Sequence, residues 1–97
     1  MRKSTHSPEY EAVKRKLVEM RHAAGMTQRD LAARMEREQS FIWRLETGQR
    51  RLDVIEFTWI CEAHGRDPAA VYSEIMREVR SQNLLKVAEE SPSYGSE

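Results

Sequence analysis

Ninety-seven residues, 39% of them hydrophobic and 33% charged, suit one compact, soluble domain with a small core and leave no room for a second, ligand-sensing or catalytic domain. Sixteen basic residues balance sixteen acidic ones, but unevenly: residues 1–60 carry twelve Lys and Arg against nine Asp and Glu, and 61–97 carry four against seven, so only the N-terminal part suits a polyanion. No stretch approaches the roughly 18 to 20 apolar residues of a membrane span, and the polar run from Met1 to Pro8 lacks a signal peptide's apolar segment, so the chain is expected to be neither membrane-bound nor exported.

Five helices are predicted, each with a capping residue at its start. The first takes Ser7 as N-cap and Pro8 in its first turn, buries Tyr10, Val13, Leu17 and Met20 along one face, and stops at Gly25. Thr27 caps the second, with Asp30 favouring the helix dipole and Leu31, Ala32 and Met35 pointing inward. After a tight connection through Glu36 to Glu38, a third runs from about Gln39 to Thr47, burying Ile42 and Leu45 and ending at Gly48. The second and third are too short to be stable alone.

The polar loop Gln49, Arg50, Arg51 leads to Asp53, which with Glu56 forms an acidic capping box for a fourth helix bearing Val54, Phe57, Ile60 and Cys61. Cys61 is the one cysteine, so no intrachain disulfide can form, and a reducing, cytoplasmic setting with an inert buried thiol is expected. Gly65 closes that helix. Asp67 and Pro68 open a fifth, running to about Leu85 with Val71, Ile75, Val79 and Leu84 as its stripe; a frayed tail follows. The organisation expected is a flexible arm over 1–7, a folded domain over 8–86 and a disordered tail over 87–97. Nothing alternates with the period of a strand, and no repeat is visible.

Residues Thr27 to Gly48, TQRDLAARMEREQSFIWRLETG, put two short helices around a tight turn, and here the chain resembles the Xre family, the Cro and repressor type of helix-turn-helix protein. The resemblance rests on Thr27 and Gln28, Leu31 and Ala32, Ile42, Glu46 and Gly48, and extends from about Leu17 to Val71. It implies an all-α, lambda-repressor-like domain that binds double-stranded DNA as a homodimeric transcription regulator, most simply a repressor at an inverted-repeat operator. A helix about 10 to 12 Å wide fits the major groove, where each base pair shows a distinct donor and acceptor pattern.

With Ile42 and Leu45 inward, Gln39, Ser40, Trp43 and Arg44 face out on the third helix. By position Gln39, Ser40 and Arg44 match base-reading residues of the family; the alternative is that they clamp phosphate. Trp43 either covers a thymine methyl or sugar, or packs toward the fourth helix or a dimer mate. Gln28 matches a phosphate-binding position, and Arg29, Arg37, Arg50 and Arg51 are further phosphate candidates. Because one reader helix touches only four or five base pairs, about half an operator, a dimer is expected, with Val71, Ile75 and Val79 at its interface.

Three departures from the family pattern stand out: Glu36 and Arg37 replace a glycine and an apolar residue in the turn, Trp43 replaces a polar residue, and His64 replaces an apolar one. For His64 a half-exposed helix-capping position is expected rather than a buried pH-sensitive one. A protein-binding module of antitoxin or adaptor type, binding DNA for autoregulation, is the alternative reading, with a protein partner. An enzyme is disfavoured, since His6, His22 and His64 are scattered and no nucleophile stands beside a base; no metal or other cofactor is expected.

Overall fold

The computed structural model describes residues 7–90, and side chains from 7 to 82. Among them are five helices and no strand: α1 (Pro8–Ala23), α2 (Gln28–Arg34), α3 (Gln39–Thr47), α4 (Val54–Ala63) and α5 (Pro68–Glu90). The starts of α1, α2, α4 and α5 follow the capping chemistry of the sequence, whereas α3, expected to carry a cap as well, begins after Glu38 with no side-chain cap. Ser7 accepts from the Tyr10 amide at 3.0 Å, and Thr27 with Asp30 and Asp53 with Glu56 form reciprocal capping boxes. The helical backbone of α5 continues through Glu90, beyond the expected end near Leu85. The expected arm apart from Ser7, the last seven residues of the expected tail, and the side chain of Leu84 lie outside the described residues.

One core joins all five helices. Leu17 and Met20 from α1, Leu31 and Ala32 from α2, Phe41, Ile42 and Leu45 from α3, Ile60 and Cys61 from α4, and Val71, Ile75 and Val79 from α5 are buried together. The α1 helix packs on α3 and α5, α2 on α3, and α4 on α5. The stripe expected to mediate dimerisation belongs to this core: Val71, Ile75 and Val79 are only 0%, 3% and 5% exposed. With α1 and α4 packed on it, α5 commits those side chains to its own protomer's core, where burying each is worth about 1.5 to 3 kcal/mol. Val54, grouped in sequence with Phe57, Ile60 and Cys61, is 73% exposed. The Asp53 capping box sets the phase of α4 so that Glu56, Ile60 and Cys61 face the interior, and Val54 begins the helix beyond the core's edge.

Three helices end the same way. Beyond α1, α2 and α4 the chain makes paired backward hydrogen bonds: Met26 and Gly25 to the carbonyls of Arg21 and His22, Arg37 and Glu36 to those of Ala32 and Ala33, and Arg66 and Gly65 to those of Cys61 and Glu62. The pattern needs a left-handed residue in the middle. Glycine supplies it twice, with φ of 69° and 70°, but in the turn between α2 and α3 it is Glu36, at φ 57°. A side chain in that conformation costs about 1 to 2 kcal/mol. Glu36→Gly is therefore expected to raise the unfolding free energy by about 1 kcal/mol, the strain relieved being partly offset by the glycine's greater unfolded-state entropy. For a domain of this size that shifts the melting midpoint up by roughly 4 to 8 °C, and calorimetry of the two proteins measures it.

Candidate nucleic-acid interface

The tight turn sets α3 against α2 so that Phe41, Ile42 and Leu45 face the core, and the helical period then turns Gln39, Ser40, Trp43 and Arg44 outward. All four are exposed, Trp43 by 47%. Phe41, which the sequence did not single out beside Ile42 and Leu45, is also on the buried side of α3, 4% exposed. It has company from the two flanking loops: the Arg37 guanidinium lies 3.7 Å from the ring centroid and that of Arg50 lies 5.1 Å away. Arg37 thus occupies the family's apolar turn position by laying its flat cation on an aromatic face.

Behind the exposed row runs a hydrogen-bonded chain that begins in the interior. Arg21 Nε and Nη2 donate to Glu46 Oε2 and Oε1 at 2.7 and 3.0 Å, and its Nη1 donates to the Met26 carbonyl at 3.0 Å. The two side chains are 11% and 5% exposed. Gln28 Nε2 donates to Glu46 Oε1 at 2.9 Å, and Gln39 Nε2 donates to Gln28 Oε1 at 3.2 Å. The first residue of α3 is therefore oriented through Gln28 from a buried ion pair. Sequence reasoning noted Glu46 only as part of a pattern and missed Arg21; the signal available was that Arg21 lies four residues after Leu17, on the apolar stripe of α1.

The loop after α3 separates its two arginines. Arg50, expected at phosphate, donates to Glu56 Oε1 and Oε2 at 2.8 and 2.7 Å, so its charge is engaged in a bidentate internal pair. Arg51 is exposed, and it, Arg29, Arg37 and Arg44 enter no ion pair among the described residues. The Tyr10 hydroxyl accepts from the Leu52 amide at 2.8 Å, tying this loop to α1.

A sequence profile described as a helix-turn-helix domain matches residues 14–71. No curated protein matches. Among solved structures, an XRE-family like protein from Pseudomonas syringae pv. tomato str. DC3000 is 45% identical, with 77% of this chain and 92% of that one covered and a TM-score of 0.71. The chain belongs to the XRE family of helix-turn-helix proteins. The clp gene regulator ClgR from C. glutamicum is also similar, at 25% identity over 75% of this chain and 95% of that one, with a TM-score of 0.66.

This XRE-family chain is accordingly a DNA-binding transcription regulator. His64, another departure from the family pattern, caps the C-terminal end of α4, half-buried, with Nδ1 2.8 Å from the Ile60 carbonyl. The Cys61 thiol, buried against α5, is pushed by desolvation up to about 11, which makes it a poor nucleophile at neutral pH.

Two predictions test the supports of α3. Glu46→Ala leaves a buried guanidinium unpaired and is expected to cost about 3 to 5 kcal/mol, a large part of a small domain's stability, as measured by urea unfolding. Loss of under 1 kcal/mol would mean water already shares the pair. The second concerns acid. The Arg50 guanidinium, helped by the Asp53 amide and opposed by burial, holds the Glu56 carboxyl below its ordinary 4.5. A depressed acid stabilises the fold above its unfolded pKa, and that contribution is lost as pH falls below about 4.5 and through the lower folded value. Glu56→Gln should therefore be less stable than the parent at pH 7, with the gap narrowing as pH falls below about 4.5.

Proposed function

We propose that the chain is a homodimeric repressor that reads an inverted-repeat operator in the major groove through α3. The observation that carries this is the exposed row Gln39, Ser40, Trp43 and Arg44 on a helix anchored from behind by Phe41, Ile42 and Leu45. In the proposed complex Gln39 reads adenine and Arg44 guanine, each by two hydrogen bonds, while Ser40 adds a single bond. Trp43 lies against a thymine methyl or sugar. Gln28, Arg29 and Arg37 take phosphates along the same groove, fixing register without choosing sequence. Arg50 is left out of this set because Glu56 holds it. Repression by excluding polymerase is the simplest mode, and the similarity to a protein described as a clp gene regulator supports control of transcription.

Selection of bound sequences from a random DNA pool tests the reading. An inverted repeat with half-sites about ten base pairs apart is expected, bound about 10³-fold or more tighter than scrambled DNA at the same salt concentration. Arg44→Ala should cost about 1 to 3 kcal/mol on the selected site and relax preference at one position in each half-site. If affinity falls equally on every sequence, Arg44 clamps phosphate. If the pool yields no enriched site, a protein is the main partner.

A further inference from the structure

We propose that the outward face of α4 is where two copies of this chain meet. This deepens the dimeric reading above by naming its contact surface, which α5 cannot supply because its stripe is buried. Five large hydrophobic side chains are exposed among the described residues, and three of them, Val54 at 73%, Ile55 at 55% and Trp59 at 52%, sit within two turns of α4. Ile55 and Trp59 are four residues apart and so lie one above the other on one face. Scattered exposed apolar residues need no explanation, but a cluster containing a tryptophan does.

The face is complementary to itself under a two-fold rotation. Place two α4 helices antiparallel with their midpoint between Ile55 and Trp59, and each Ile55 meets the other copy's Trp59. The same rotation brings the N-terminal end of one helix to the C-terminal end of the other. Exposed Arg51 stands just before the first end and exposed Glu62 near the second, and neither is in an ion pair within the protomer among the described residues. Two Arg51 to Glu62 contacts then flank the apolar centre, the symmetric arrangement an isologous interface requires. Arg51, expected from sequence at phosphate, is assigned here to the second copy. Beside Trp59 a hollow of about 460 Å³, walled by Arg34, Met35, Glu62 and Ala63 among others, gives the incoming Ile55 a seat. The three apolar side chains supply roughly 600 Å² over both copies, about half of what a stable interface buries, so with its polar rim the dimer is of the weak, reversible class.

Cross-linking captures such a contact. Thr58 is half-exposed on the outward side of α4, beside Ile55 and Trp59, and Cys61 is buried, so Thr58→Cys in the full chain presents one accessible thiol near the proposed two-fold axis. A short bis-maleimide is expected to convert this variant to a covalent dimer at tens of micromolar, while Ala33→Cys, exposed on α2, stays monomeric. Adding Trp59→Glu to Thr58→Cys should cut the dimer yield at least tenfold with the helical circular dichroism unchanged. Adding Glu62→Arg should lower it, and Arg51→Glu in the same chain should restore it. Absence of the cross-link, or a yield that Trp59→Glu leaves unchanged, overturns the proposal. If the cross-link forms but no inverted repeat is selected from DNA, the contact stands and the operator reading fails. If an inverted repeat is selected without the cross-link, the operator reading stands and the α4 contact fails.

Discussion

The buried pair of Arg21 and Glu46 fixes how α3 sits, and most of what the surface presents follows from it. Its carboxylate receives three hydrogen bonds, two from Arg21 and one from Gln28, and the guanidinium uses its remaining reach on the Met26 carbonyl at the start of the connection to α2. One charge pair thereby ties the end of α1, the start of α2 and the last turn of α3 together. Buried ion pairs add little net stability compared with apolar residues of the same volume, because desolvation consumes most of their attraction. Their geometry is another matter: a hydrophobic contact tolerates sliding, whereas a bidentate pair with every polar group satisfied accepts one register. If α3 reads base edges as proposed, that restriction is what it needs.

The turn before α3 works under the opposite economy. Glu36 holds a left-handed backbone that Gly25 and Gly65 adopt freely at equivalent helix ends, and the surrounding structure imposes it. Arg37 and Glu36 complete the backward hydrogen bonds on α2, and the arginine then lies on Phe41, which is locked into the core. A local cost of about 1 to 2 kcal/mol persists because these contacts and the packing of α2 on α3 over-determine the turn. The acidic side chain at that point is also beside the proposed phosphate path, where a neutral glycine would repel nothing.

The fold was largely legible in the sequence because helix ends are written in local chemistry. Ser7, Thr27 and Asp53 each cap through an amide three residues on, and Gly25, Gly48 and Gly65 mark stops, so starts and stops could be read without knowing the tertiary structure. The exposed row of α3 was legible for the same reason: once Ile42 and Leu45 are inward, the helical period assigns the rest. What escaped depended on contacts between distant residues. Arg21 drew no notice until Glu46, 25 residues away, came into reach, and Arg50 was read as a phosphate contact until Glu56 claimed it. The α5 stripe failed for a related reason, since an apolar face is the same in sequence whether a second copy or the chain's own α1 and α4 cover it.

The distribution of charge sets how such a protein can discriminate. Glu36 and Glu38 sit at the mouth of α3 beside Arg37 and Arg44, Arg50 is neutralised by Glu56, and the whole chain carries no net charge. Non-specific attraction to DNA scales with the number of phosphates neutralised, and beside α3 the charge of Arg50 is already balanced by Glu56 while Glu36 and Glu38 oppose Arg37 and Arg44. In the proposed reading, specific binding is therefore carried by base contacts and by joining two half-sites. The proposed weak contact between copies suits that arrangement: in the proposed dimer, two protomers bound side by side on the right spacing add their interaction to both, so occupancy depends steeply on having both half-sites intact.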